Sequence, residues 1–170
     1  CEGVCVRNQG DDRPVTIGLL QRFAVDEALQ EGTGFFSRSE QTGKSVGVVG
    51  AGPAGFSCAH RLAVLGHDVV VYEARAKSGG LNEYGLAAYK MLDGFAQKEA
   101  EFITSLGGIE IVHDTILGRD VTVQKLQKRH DAGFLGIGLG GGNTLGIPGE
   151  EADGVADAVA FIDELRQADQ

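Results

Sequence analysis

No stretch of about 18 apolar residues occurs in this chain, so it offers no candidate membrane-spanning helix. Basic residues are few: 15 Lys and Arg stand against 24 Asp and Glu, for a net charge of -9. That excludes a general affinity for nucleic acid, which needs a basic surface. It leaves room for one phosphorylated cofactor, because backbone N–H groups can bind phosphate locally. Cysteine is scarce and odd, at 3. An odd count argues against a closed disulfide framework and for a reducing, cytoplasmic compartment. The opening residues lack a charged n-region, an apolar h-region and a cleavage site. The first residue is Cys1 rather than Met, and the chain is expected to be a piece of something longer.

What the chain has in excess is glycine, 27 of 170 residues. The glycines follow no G-X-Y period and cluster instead at 50–55, 79–80 and 136–142. Clusters of this kind suit tight turns and close backbone approach to a ligand. Hydrophobic residues make up 42% and charged residues 23%, enough to bury a core. Residues 14–31 carry apolar positions at three- and four-residue steps and predict a helix, with Asp12 and Pro14 at its start and Gly32 at its end. Residues 32–43 read as a linker in which Phe35 and Phe36 are expected to pack. A short β-branched run, 45–49, predicts a buried strand. A helix over 53–65 capped by Gly66 follows, then a second strand over 68–73. Further on, 92–106 predicts a helix, 109–113 a strand, 121–129 a helix, 134–138 a buried strand and 155–166 an amphipathic helix. Strands alternating with helices imply a parallel sheet covered on both faces.

The strongest motif is Gly50-Ala51-Gly52-Pro53-Ala54-Gly55. A lone GxGxxG is weak, but this one leaves a predicted strand and opens a predicted helix, the context of a dinucleotide fingerprint. Gly50 allows the tight turn, Gly52 lets the backbone approach a pyrophosphate, and Gly55 lets the helix pack on the strand. Pro53 costs little at a helix start. The second strand ends in Glu73, placed to accept hydrogen bonds from both hydroxyls of an adenosine ribose and to repel a 2′-phosphate. The site therefore prefers FAD or NAD over NADP, and the spacing alone does not separate FAD from NAD.

Cys1 and Cys5 are four apart with a glycine between them. Thiolates so placed reach soft metals or iron–sulfur clusters, and they equally fit two free thiols at a chain end. Cys58 sits among apolar neighbours as a small core residue. His60, His67, His113 and His130 share no metal-ligand spacing. No nucleophile–base pair is evident, and no catalytic side chain is assigned.

Taken together, Cys1-Glu-Gly-Val-Cys5, the helix around Val15 to Phe23, the GAGPAG loop and Gly79-Gly80-Leu81 resemble one family of oxidoreductases. It comprises the small subunit of bacterial glutamate synthase, the N-terminal half of dihydropyrimidine dehydrogenase, and the bacterial dihydropyrimidine dehydrogenase subunit PreT. The run Gly136-Ile137-Gly138-Leu139 is similar to the dihydropyrimidine dehydrogenase branch. The resemblance implies an α/β, Rossmann-like FAD-binding domain (a parallel sheet with flanking helices), preceded by the end of a helical [4Fe–4S] domain. The division is expected at residues 1–36 and 37–170. It also implies electron flow from NADPH or NADH through FAD and two [4Fe–4S] clusters to a partner subunit or domain.

Carried over residue by residue, Cys1 and Cys5 match ligands of different clusters, and Gln21 matches an unusual glutamine ligand that by itself reads as a solvated helix residue. The stretch from Glu73 and Ala74 to Gly79, Gly80 and Leu81 matches FAD contacts. Lys90 matches a basic FAD contact, Leu117 a residue near the adenine, and Gly138 the last glycine of a later strand end. The sequence departs from the pattern in four places, one of them the missing segment that returns to complete the FAD domain. Cluster cysteines ahead of Cys1 are absent. Gly85-Leu86-Ala87 replaces Gly-Ile-Pro. No second GxGxxG follows for the nicotinamide. Two alternatives are an FAD enzyme of the amine oxidase or monooxygenase type without clusters, and a dinucleotide-binding module without chemistry.

Overall fold

The computed structural model describes residues 2–10, 13–32, 35–139 and 141–168. They form two compact units, Cys1–Gly34 and Phe35–Gln170. Cys1 and Asp12 lie outside the described residues.

The first unit holds two 3-10 turns, Glu2–Val4 and Val6–Gln9, and the helix α1, Ile17–Glu31. The helix starts at Ile17 rather than at Pro14. The β-branched Val15 and Thr16 are poor helix formers, and they take up a turn closed by the Ile17 N–H on the Val15 carbonyl at 2.8 Å. Gly32 ends the helix at φ 88° and donates to the Ala28 carbonyl.

The second unit runs β1 (Ser45–Val49), α2 (Pro53–Val64), β2 (Asp68–Tyr72), α3 (Leu81–Tyr84), α4 (Phe95–Thr104), β3 (Ile109–Val112), α5 (Val123–Arg129), β4 (Ala132–Leu135) and α6 (Ala158–Gln167). The sheet has the order β3-β2-β1-β4 and every pairing is parallel. Chain order runs outward in one direction from β1 through β2 to β3, then reverses to β4. In open parallel sheets ligands bind outside the carboxyl ends of the strands at such a reversal.

Alternation along the strands sorts the core into two faces. Val46, Val48, Val69 and Val71 pack with Phe56 and Ala59 of α2 and Ala100 of α4, with Cys58 at the margin. Val49 and Tyr72 pack on the other face with Val121 and Leu126. Complete burial of a valine side chain is worth about 1.5–3 kcal/mol, so these faces supply much of the unit's stability.

Helix α2 ends as its sequence suggests. Gly66, at φ 88°, donates to the Ala63 carbonyl, and His67 donates to the Leu62 carbonyl. This paired arrangement satisfies carbonyls that the helix end would leave orphaned. Thr122 caps α5 by accepting from Lys125 N–H, and Asp157 caps α6 by accepting from Val159 and Ala160. In the linker, Phe36 meets the His60 ring edge-on at 4.6 Å and Phe35 packs at 6.4 Å from Phe102.

The last strand departs most from expectation. It is Ala132–Leu135, not 134–138, and all its residues are exposed rather than buried. It forms the sheet edge, with β1 as its one strand neighbour. Gly136 and Gly138 then turn the chain out of the ladder, Gly138 at φ 71°.

His130, between α5 and β4, ties the sheet together. Its Nδ1 lies 2.7 Å from Ser45 Oγ and its Nε2 2.9 Å from Tyr72 Oη. The ring occupies the space above Gly47, where a Cβ would fall 2.6 Å from Cδ2. Burial first, and then the Arg129 charge, lower its pKa below the ordinary 6.5, opposed by Asp131. The unfolded chain therefore takes up this proton at higher pH than the folded one. The stability held by neutral His130 is present above the ordinary pKa and is lost as pH falls through the lowered value. We expect stability in urea to decline between about pH 7 and pH 5, and His130→Asn to flatten that decline.

Candidate dinucleotide-binding site

The loop after β1 and the turn before α3 meet at the carboxyl end of the sheet. Gly50 leaves β1 at φ 98°, and a Cβ there would collide with the Gly136 carbonyl oxygen just beyond β4. The two loops at the strand reversal thus touch backbone to backbone. A Cβ on Gly55 would overlap the Gly50 carbonyl oxygen, so α2 lies against the loop only because position 55 has no side chain.

Gly52 differs. A Cβ there would meet only the Gly80 Cα, at an ordinary 3.7 Å, and its φ of -81° suits any residue. Protein packing does not require glycine at 52; a ligand drawn close to that backbone would. No side chain caps α2, and Pro53 opens it. The helix start carries a partial positive charge, which favours a nearby anion.

The double glycine closes on this loop. A Cβ on Gly80 would lie 2.9 Å from the Gly52 Cα. Gly79 N–H donates to the Ala51 carbonyl at 2.8 Å. Ser78, buried, bonds His113 Nε2 through its hydroxyl at 3.0 Å, and its carbonyl accepts from Gln97 at 2.8 Å.

Glu73 follows β2 directly and is 8% exposed. Its Oε2 accepts from the Ala51 N–H at 2.7 Å and its Oε1 from the Arg75 N–H at 2.9 Å. The acid thus has a task the sequence did not disclose, anchoring the glycine loop to the neighbouring strand. Each carboxylate oxygen has two acceptor positions, so each has one beyond these bonds.

The structure brings together Gly50, Ala51, Gly52, Pro53, Gly55, Glu73, Gly79 and Gly80. Ala54, Ala74 and Leu81 are exposed at the margins of these turns. Lys90 is exposed, with its ammonium 5.8 Å from the Tyr89 ring centre. Leu117 packs at the edge of the Val49–Tyr72 cluster and bridges to Val121. Among the described residues, no atom would meet a Cβ on Gly138 within 4 Å. A cleft of about 200 Å³ between α2 and α4, lined by Pro53, Phe56, Asn82 and Ile103 among others, adjoins the loop. It is smaller than ordinary ligand pockets.

Cys5, in the first unit, begins a 3-10 turn. Hydrogen bonds from the Val15 and then the Arg7 backbone lower its thiol pKa. Gln21 is exposed on α1. Burial raises the pKa of Cys58. Among the described residues no three His, Cys, Asp or Glu side chains group as metal ligands, and no helix is long and apolar enough to cross a membrane.

The sheet order, the glycine loop and the acid after β2 define a Rossmann-like dinucleotide-binding domain. In agreement, residues 48–84 match the family model described as an NAD(P)-binding Rossmann-like domain. The chain is 38% identical over 163 residues to the glutamate synthase [NADPH] small chain of Escherichia coli, covering 95% of this chain and 34% of that protein. It is 34% identical over 171 residues to the NADPH-Fe(3+) oxidoreductase subunit beta of Geobacter sulfurreducens, covering 99% of this chain and 25% of that one. The structure of Mycobacterium tuberculosis FprA in complex with NADPH superposes with a TM-score of 0.62 at 25% identity, over 71% of this chain and 28% of FprA. The chain is similar to a glutamate synthase small chain and to related oxidoreductases over nearly its whole length, and it spans about a third or less of the length of these relatives.

Three substitutions separate packing from ligand space. Gly55→Ala forces a Cβ onto backbone and should destabilise by about 1–3 kcal/mol. Glu73→Ala leaves the fully buried Ala51 N–H without an acceptor and should cost about 1–3 kcal/mol. Gly52→Ala should stay within about 1 kcal/mol of the parent. Urea denaturation with an unchanged slope checks all three.

Proposed function

We propose that residues 35–170 hold the adenosine and pyrophosphate portion of FAD in an NAD(P)H-dependent oxidoreductase that passes electrons onward to a partner subunit or domain. The observation that carries this reading is the seating of Gly80 on Gly52, with Glu73 anchoring the same loop. Gly52, Gly80 and the uncapped start of α2 would hold the pyrophosphate. Glu73 would hold the ribose hydroxyls and disfavour a 2′-phosphate. When bound, the flavin supplies the redox chemistry, and the role of this chain is to bind and orient it. The names of the relatives, a small chain and a subunit beta, support a partner that takes the electrons.

Iron–sulfur clusters do not fit these residues alone. A cluster takes four ligands, the chain has 3 cysteines, and Cys58 packs on the apolar core. Cys1, Cys5 and Gln21 would be ligands whose companions come from outside residues 1–170. In the full-length protein, Cys1→Ala and Cys5→Ala should each weaken the EPR signal of a different reduced cluster; unchanged spectra would remove the assignment.

The flavin reading is tested by titration. We expect stoichiometric FAD in the full-length protein, weak or no retention by residues 1–170 alone, and FAD bound at this crevice in preference to NADH and NADPH. Gly52→Ala should lower flavin content while leaving stability in place. A colourless full-length protein that cannot be reconstituted with FAD would contradict the proposal.

A further inference from the structure

Glu83 is buried, 4% exposed, on the four-residue helix α3. A helix this short does not hold itself together, yet it opens at Gly80, the residue seated on Gly52. The Tyr84 N–H bonds the Gly80 carbonyl at 2.9 Å, so displacing α3 displaces the glycine turn.

What holds α3 comes from the far end of the chain. Arg166 of α6 donates to the Leu86 carbonyl at 3.0 Å and places its other terminal nitrogen 3.7 Å from the Glu83 carboxylate. Gln167 donates to Glu83 at 3.3 Å and accepts from Lys77 at 3.1 Å. Gln97 of α4 donates to Glu83 at 2.9 Å, and the Lys77 ammonium lies 3.7 Å from it. Arg75 pairs with Asp163 of α6 and stacks on the Tyr84 ring at 4.2 Å. Helix α6 therefore grips the chain before α3, within it and after it.

As a device for stability alone this arrangement is poor. The Arg166 side chain is 8% exposed, its contact with Glu83 is long, and among the described residues its buried Nε has no partner. A loosely paired buried charge of this kind contributes little net stability, and an unsatisfied buried donor calls for a reason. Its geometry supplies one, because the guanidinium bridges Glu83 and Leu86 and so fixes the orientation of α3 and of the turn that α3 follows.

We propose that Arg166 is a positioning residue for the Gly79–Gly80 turn, and that docking of α6 and binding of the dinucleotide are coupled. The inference rests on the dinucleotide reading of the site. Coupling of this kind is reciprocal: if α6 strengthens dinucleotide binding, the dinucleotide strengthens the docking of α6 by the same factor.

The test uses the full-length protein, with FAD as the probe, in parent, Arg166→Leu and Arg166→Lys forms. Lysine keeps the charge but cannot bridge two acceptors as guanidinium does. FAD affinity should fall in the order parent, R166K, R166L, with R166L weaker by about tenfold or more. In the parent, FAD should slow amide hydrogen exchange across residues 159–167; in R166L that slowing should be lost. The exchange measurement on the parent stands even if R166L fails to fold. Equal FAD affinity in all three proteins, or α6 exchange unaffected by FAD in the parent, overturns this inference alone. Absence of FAD binding by the parent overturns the dinucleotide reading and the inference with it.

Discussion

Residues 50–55 touch two other stretches of backbone with no side chain between them. On one side the Gly50 turn meets the Gly136 carbonyl; on the other Gly52 meets Gly80. Contacts this close require glycine at 50 and at 80, and together they fix where β1, β4 and the turn before α3 stand. The Glu73 carboxylate secures the same loop from β2 through Ala51. The carboxyl edge of the sheet is thus drawn around a short segment whose packing leaves room for a Cβ at Gly52.

The polar groups buried around this segment are tied to backbone and to one another. Ser78 is held by His113 and Gln97, Tyr84 both accepts from and donates to the Lys77 backbone, and Glu83 is met by residues of α4 and α6. Burial raises the Tyr84 pKa, partly offset by the Lys77 N–H and the Arg75 charge. Such a surround suits a domain whose cofactor carries the reaction and whose protein part supplies placement.

The sequence was most legible where structure is local. The unit from Ser45 to Tyr72 reads correctly because hydrophobic run, glycine turn, helix and strand follow each other within one βαβ step, and Gly66 terminates α2 by a purely local arrangement. It was least legible where the deciding contact is distant. The exposure of β4 depends on its place at the sheet edge, which its apolar residues do not announce. The short helix α3 has no periodicity to read, and its stabiliser, Arg166, is separated from Glu83 by most of the domain. Glu73 was visible as an acid at a strand end, but its hold on Ala51 appears only when the two loops are brought together. Lys90 and Leu117 came from resemblance alone, and their described contacts are with Tyr89 and with the Val121 cluster.

The central claim is that the glycine pair at 79–80 and the GAGPAG loop form one phosphate platform with Glu73 at its ribose end. A crystal structure of the full-length protein reconstituted with FAD tests it most directly. The account predicts the FAD pyrophosphate between Gly52 and Gly80 at the start of α2, with the adenosine ribose hydroxyls on Glu73. A flavin bound elsewhere, or a nicotinamide nucleotide in this crevice with its ribose on Glu73, would contradict it.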